Sequence, residues 1–254
     1  MSQISTADGI KHVRKWLESA KHVVFFTGAG MSAECGIPTF REAQTGFWAR
    51  FDPMELASPE AFRRHPEQVL QWYAERRAQA LACEPHAGYR AIVEIEKHTR
   101  VSVITQNVDR LHQRAGSKDV AELHGNLISE SCFECHATDD RPPNTETPYQ
   151  RHCRQCGGQL RPSIVWFGEA LPEDQVLQAE DALVTCEVLF IVGTSAAVYP
   201  AAGMPRLAKQ AGARIVLVNP EPTDHLALAD VFLQGTAGEL LPQLMDVPPT
   251  CLNF

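Results

Sequence analysis

Four short apolar segments constrain this chain more than any other feature. Residues 23–26, 101–105, 188–192 and 215–218 are largely β-branched or aromatic runs of strand length, and each stops at small or polar residues. The stops read Thr27-Gly28-Ala29-Gly30, Gln106-Asn107-Val108-Asp109, Gly193-Thr194-Ser195 and Asn219-Pro220-Glu221. Helix-period patterns alternate with these runs. Ile10, Val13, Trp16, Leu17 and Ala20 recur at helical spacing, and residues 172–186 and 200–211 each open on a proline suited to a first helical turn. Strands apolar on both faces, alternating with helices, predict an α/β fold: a Rossmann-like parallel sheet with ligands gathered at its C-terminal strand edges.

Two excursions interrupt the alternation. Residues 35–99 are far longer than a crossover needs and carry helix signals at Ser58-Pro59-Glu60 and along 66–83. Residues 129–160 hold paired cysteines around a loop-like stretch at 141–148. The expected organisation is a discontinuous sheet domain (1–34, 100–128 and 161–254), a loop-and-helix module (35–99) and a smaller cysteine module (129–160).

Of eight cysteines, four form two close pairs, Cys132-x2-Cys135 and Cys153-x2-Cys156, separated by seventeen residues. The first twenty residues carry Asp8 and Glu18 and no long apolar core, so a cytoplasmic location with reduced thiols is expected rather than a disulfide scaffold. The spacing fits a zinc ribbon, in which four thiolates close a tetrahedron and leave no position for water, so one structural zinc ion is expected. Net charge is −8, and four acids face three arginines between Cys132 and Cys156, which gives no basic stripe for nucleic acid. No apolar run approaches the ~20 residues of a membrane span.

Gly28-Ala29-Gly30-Met31-Ser32-Ala33 fits the pattern G-x-G-x-x-[G/A] after a strand, where bare amides can approach a pyrophosphate; a plain glycine turn reads the same way. Residues 34–50 supply no second strand with a ribose-binding acid, but Asn219 and Glu221 stand just past a later strand end and Gly193, Thr194 and Ser195 past another. Three such ends look like one large nucleotide site. Asn107 and Asp109 bring an amide and a carboxylate to the same rim, or else cap the next helix. His124 is suited to general-base work near neutrality, or is structural; spacing does not choose.

Taken in order, Gly28-Ala29-Gly30-Met31-Ser32, Gly36-Ile37-Pro38-Thr39-Phe40-Arg41, Thr105-Gln106-Asn107-Val108-Asp109, His124-Gly125, the four cysteines, Val165-Trp166-Phe167-Gly168-Glu169, Gly193-Thr194-Ser195 and Asn219-Pro220-Glu221 closely resemble the sirtuin family of NAD-dependent protein deacylases, over about residues 23–237. The resemblance implies a cleft between a Rossmann domain and a smaller zinc-and-helix domain, holding NAD and an acyl-lysine peptide. It puts Gly28, Ala29, Gly30 and Ser32 at the pyrophosphate, and Gly193, Thr194 and Ser195 at the phosphate and ribose. Asn219 and Glu221 would address the adenosine ribose, and Phe40 and Arg41 the mobile cofactor loop. Gln106 and Asn107 would border the reacting ribose or a water, Asp109 would hold the nicotinamide carboxamide, and His124 would be the base. Val165, Trp166, Phe167 and Gly168 would pair with the substrate backbone by strand addition. Ala237 stands near the adenine where some relatives carry cysteine, and of the other four cysteines Cys35 lies inside the cofactor-loop motif, its redox sensitivity left open by the sequence. The reaction needs the acyl oxygen in line with the ribose C1′ while neutral nicotinamide leaves; His124 then helps deprotonate a ribose hydroxyl.

Tyr73 and Arg76 are three residues apart on the expected helix and share a face. An exposed helical arginine is most often a solvated charge, but within this framework the Tyr-x-x-Arg pattern resembles the branch that removes succinyl, malonyl and glutaryl groups, with small Ala57 leaving room. Bacterial members also remove acetyl groups. The expected protein is therefore an NAD-dependent lysine deacylase, monomeric, with no nucleic-acid or membrane partner. The alternatives are a protein mono-ADP-ribosyltransferase and, disfavoured by the acidic balance, a zinc-ribbon nucleic-acid-binding protein.

Overall fold

The computed structural model describes residues 5–37, 52–143 and 147–245. Its elements run α1 (Thr6–Ser19), β1 (His22–Thr27), α2 (Gly30–Ala33), α3 (Pro53–Leu56), α4 (Pro59–Arg64), α5 (Pro66–Ala82), α6 (Ala87–Glu96), β2 (Arg100–Thr105), α7 (Leu111–Ala115), β3 (Val120–Glu122), β4 (Gly125–Cys132), β5 (Thr138–Asp139), β6 (Leu160–Ile164), α8 (Glu173–Thr185), β7 (Val188–Val192), α9 (Pro205–Gln210), β8 (Arg214–Asn219), β9 (Val231–Gln234) and α10 (Ala237–Leu240).

Six strands form one parallel sheet in the order β3-β2-β1-β7-β8-β9, the α/β architecture expected. Every residue of β1 and β7 is buried, because helices cover both faces of the sheet. The period of two divides these strands between two cores. Val23, Phe25, Val188, Phe190, Val216 and Val218 face one, shared with α1 and α6; Val24, Phe26, Leu189, Ile191, Ile215 and Leu217 face the other, shared with α8 and α9. The Phe25 and Phe190 rings stack across the β1–β7 pair at 4.7 Å. From β1 the chain builds outward to β2 and β3, then returns to lay β7 on the opposite side of β1. The order therefore reverses between β1 and β7, and a crevice at the C-terminal ends of these two strands follows.

One expectation fails locally. Residues 200–211 are not a single helix: a 3-10 turn over Ala201–Gly203 precedes α9, which opens at Pro205. Pro205 has no N–H to bond back along a helix, so it tolerates only the first turn of a new one. Pro172, too, stands at the N-cap of α8 rather than in its first turn.

A second, antiparallel sheet has the order β5-β4-β6, with Cys132 closing β4. Beside it lies the helical segment. Asp52 and Glu55 form a capping box on α3, and Ser58 Oγ caps α4 by accepting the Ala61 N–H at 3.1 Å. The 17-residue α5 packs against β4 and β6 and buries charged as well as apolar side chains, Arg76 and Arg77 among them. Helix α6 lies against β2 and α10. No helix among the described residues is long and apolar enough to cross a membrane.

Candidate active site

At the reversal point two backbones touch. The Gly30 N–H donates to the Gly193 carbonyl at 2.7 Å. A Cβ on Gly30 would stand 2.7 Å from Gly193 Cα, and one on Gly193, whose φ is +59°, would stand 2.3 Å from the Met31 nitrogen. Neither position accepts a side chain. The next strand end is tied in by side chains on this backbone: Asn107 Nδ2 donates to the Gly28 carbonyl and to Ser32 Oγ, both at 2.9 Å, and Gln106 Nε2 donates to Thr194 Oγ1 at 3.2 Å. Farther along the edge, Asn219 Nδ2 donates to the Glu221 carbonyl at 2.6 Å, with Glu221 and Ser195 exposed. Ala237 is buried at the start of α10.

Ser32 is the hub of the buried polar network. Its hydroxyl donates to Asp109 Oδ2 at 2.6 Å, accepts from Asn107, and lies 3.1 Å from Tyr89 Oη. Asp109 Oδ1 accepts the Leu111 N–H at 2.8 Å. Burial pushes the Asp109 carboxyl up, while the Ser32 and Leu111 hydrogen bonds pull it down. Beneath this network Thr27 Oγ1 donates to Thr105 Oγ1 at 2.9 Å and accepts from His112 Nε2 at 3.0 Å. Burial pushes His112 down to about 3, so this imidazole is neutral.

His124 Nδ1 lies 3.0 Å from the Gln106 carbonyl. A carbonyl only accepts, so Nδ1 carries the proton and Nε2 presents its lone pair. Burial lowers the pKa of the ring below its ordinary value, and the Gln106 contact opposes this shift. The result is a neutral base at neutral pH.

One cavity of about 290 Å³ joins these groups to α5. Its wall includes Ala29, Ser32, Gln106, Asn107, Asp109 and His124 from the sheet edge, Ala57, Tyr73 and Arg76 from the helical segment, and residues 165–168 from the loop after β6. Trp166 Nε1 donates to Tyr73 Oη at 3.0 Å, which leaves the phenol its own proton to donate. Burial raises the Tyr73 pKa well above that of an ordinary phenol. The Arg76 guanidinium lies 5.3 Å from the centre of the Trp72 ring; burial opposes its charge, while Tyr73 and Asp109 favour it. A buried cation beside a phenol suits an anionic group entering a largely apolar cavity. Trp166 is itself clamped. The Arg161 guanidinium lies 3.6 Å over its ring and pairs with Glu169, whose Oε2 accepts the Trp166 amide at 2.8 Å.

The loop expected to pair with substrate already uses most of its amides. Val165 N–H donates to the His124 carbonyl, Phe167 N–H to the Ala57 carbonyl and Trp166 N–H to Glu169. Among the described residues, the Gly168 amide and the Val165 and Gly168 carbonyls remain without an intramolecular hydrogen bond. Gly28, Gly30, Gly193, Thr194, Ser195, Asn219 and Glu221 lie along the strand-end edge and not in the cavity wall. Phe40 and Arg41 lie outside the described residues. Sequence reasoning missed Tyr89 and His112, since no motif joins Tyr89 to a serine 57 positions away. It also missed Leu171, Val198 and Tyr199 in the wall.

The four paired cysteines converge, all Sγ atoms lying within 4.8 Å of one another, and none lines the cavity. The closest approaches, Cys132 to Cys156 at 3.4 Å and Cys135 to Cys153 at 3.7 Å, are too long for a disulfide bond of about 2 Å. They suit the edges of a tetrahedron with metal–sulfur bonds of about 2.3 Å. Amides of Glu134 and Cys135 donate to Cys132 Sγ, and that of Gly158 to Cys156 Sγ, as thiolates require. The donor set fits a structural zinc ion. Cys35, by contrast, is half-buried, and burial pushes its thiol up, away from the thiolate character that oxidation needs.

This geometry has known counterparts. A model of the Sir2 family matches residues 28–200. The NAD-dependent protein deacylase of Ralstonia nicotianae is 47% identical over 249 residues, covering 95% of this chain and 98% of that protein. NAD-dependent protein deacylase 2 of Pyrobaculum aerophilum is 49% identical over 238 residues, covering 92% and 94%. Among solved structures, a Sir2 homologue in complex with NAD superposes with a TM-score of 0.85 at 40% identity, covering 95% of this chain and 93% of that one. Sir2Af2 bound to a myristoylated histone peptide superposes with a TM-score of 0.75 at 36% identity, covering 94% and 95%. With the parallel sheet, the four-cysteine cluster and near full-length similarity in agreement, the chain belongs to the Sir2 family, the sirtuins.

Proposed function

We propose that this sirtuin is an NAD-dependent protein-lysine deacylase that removes succinyl, malonyl and glutaryl groups as well as acetyl groups, giving nicotinamide and O-acyl-ADP-ribose. One observation carries the reading: a neutral histidine with its Nε2 lone pair presented and the buried Tyr73/Arg76 pair line the same cavity. The names of the relatives support the reaction class, and the NAD and acylated peptide in the solved relatives support the ligands.

Bound NAD supplies an electrophilic ribose carbon and a neutral leaving group. The protein's residues do the rest. The Gly28–Ser32 turn with Gly193, Thr194 and Ser195 receives the phosphates, Asn219 and Glu221 the adenosine ribose, Ala237 borders the adenine, and Phe40 and Arg41 belong to the cofactor loop. Asp109, oriented by Ser32 and the Leu111 amide, accepts from the carboxamide N–H. Asn107, fixed by Gly28 and Ser32, stands beside the reacting ribose with Gln106. His124 Nε2 takes the proton of a ribose hydroxyl. The Gly168 amide and Val165 carbonyl pair with the substrate backbone, a narrower strand addition than all four loop residues would give. Arg76 and Tyr73 receive the distal carboxylate, with Ala57 leaving space, and the four cysteines hold a zinc ion that takes no part in the chemistry. The three-part domain division, a monomeric state and a cytoplasmic location belong to the same proposal.

Nicotinamide release with matched acetyl-, malonyl- and succinyl-lysine peptides tests it. Release is expected with all three. No acyl-dependent release sinks the enzyme reading, and release with the acetyl peptide alone sinks the acidic-acyl reading.

A further inference from the structure

We infer that Arg77, next to the acyl-reading pair, is a specificity-positioning residue: its buried ion pair with Glu130 holds α5 in the rotation that keeps Tyr73 and Arg76 in the cavity, and so couples the four-cysteine module to the choice of acyl group. The inference rests on the acidic-acyl reading above.

Arg77 is 1% exposed and Glu130 4%. Arg77 Nε donates to the Leu127 carbonyl at 2.6 Å and Nη2 to Glu130 Oε1 at 3.1 Å. The other Glu130 oxygen lies 2.7 Å from Arg151 Nε, and Arg151 Nη2 lies 3.4 Å from Asp139 Oδ1, which also pairs with Arg141. Glu130 stands two residues before Cys132 and Arg151 two before Cys153. A chain of alternating charges thus runs from α5 to the base of both cysteine knuckles.

Such a pair adds little stability, because well-packed apolar residues of similar volume commonly do as well. What it adds is register. Apolar burial is non-directional and fixes the angle of a helix on a sheet only through shape, whereas a planar guanidinium must meet the Leu127 carbonyl and Glu130 at once. Arg77 is four residues after Tyr73 and so on its face of α5, with Arg76 adjacent. Leu127, whose carbonyl takes the second bond, lines the cavity itself. A roll of α5 would therefore displace both acyl-reading groups together. Reading a carboxylate demands placement within about 0.5 Å and 10–20°, while an acetyl group presents nothing at its far end for a misplaced Arg76 to miss.

The test compares kcat and KM for matched succinyl- and acetyl-lysine peptides in the full-length, zinc-loaded protein. Arg77→Met removes the fork and leaves Glu130 paired with Arg151. The expected result is a KM for the succinyl peptide raised about tenfold and acetyl kinetics within about twofold, both measured well below the lowered thermal midpoint that loss of one partner of a buried pair brings. Arg77→Lys keeps the charge without the fork and should give an intermediate ratio. If Arg77→Met does not fold, Arg77→Lys and Glu130→Gln decide by the same ratio. An unchanged succinyl-to-acetyl ratio, or losses on both peptides in step with the midpoint, overturns the inference while leaving the deacylase reading intact. A wild-type protein that turns over acetyl but not succinyl peptide overturns the acidic-acyl reading and this inference with it.

Discussion

Where β1 meets β7, functional groups are held by main chain: Gly30 on the Gly193 carbonyl, and Asn107 on the Gly28 carbonyl. Around α5 they are held by side chains distant in sequence: Trp166 on Tyr73 and Arg77 on Glu130. Each region sends side chains into the same cavity, Asn107 from one and Tyr73 and Trp166 from the other, but the two fail differently. A backbone contact with no room for a Cβ disturbs everything bound at the strand ends when it is lost. A side-chain clamp disturbs only what it touches, so the α5 side of the cavity can change while the strand ends stay as they are.

The largest expected effect lies where the regions meet. His124→Ala should lower kcat by about 10²–10⁴ for acetyl and succinyl peptides alike, with NAD binding and the thermal midpoint close to wild type; full turnover would remove the base role. Gly193→Ala strikes the strand ends. With its Cβ 2.3 Å from the Met31 nitrogen, it should cost about 3 kcal/mol or more of stability and weaken NAD binding regardless of acyl group, read by thermal melts and NAD titration. A wild-type melt would mean that the strand ends are looser than the glycine contact implies. Arg76→Met strikes the other region alone: desuccinylation should fall about 10–100-fold, the worth of a hydrogen bond to a charged group, and deacetylation only a few-fold. Equal losses would erase the distinction between the two ends. The smallest effect is the mildest perturbation of the shared base. Because burial lowers the His124 pKa from 6.5, kcat/KM for both peptides should be flat above that pH and decline only below it, as Nε2 gains its proton. An acid limb centred above 6.5 would contradict a buried, neutral imidazole.

Legibility in the sequence followed the same divide. The runs at 23–26, 101–105, 188–192 and 215–218 announce β1, β2, β7 and β8 because strands covered on both faces must be apolar throughout. Edge strands β3 and β9, three and four residues long, carry too short a pattern to stand out. The break before α9 is harder to see, because the pattern over 200–211 opens on a proline that suits one helix while the breaker, Pro205, lies inside it. At the site, His124 was visible only as a candidate. Its tautomer depends on the Gln106 carbonyl, and its neutrality on burial that no local motif encodes.

By itself the sequence determined what depends on neighbours along the chain: strands and helices, glycine turns at strand ends, and cysteine pairs whose close spacing already forms each knuckle. Only the tertiary structure decided what depends on groups far apart in the chain. It set Tyr89 beside Ser32, made three loop amides unavailable to a substrate strand, and buried Arg77 against Glu130. The physical reason is range. Backbone preferences and knuckle geometry act over a few residues, whereas desolvation, proton location and the fit of one buried charge to another exist only once distant segments have packed.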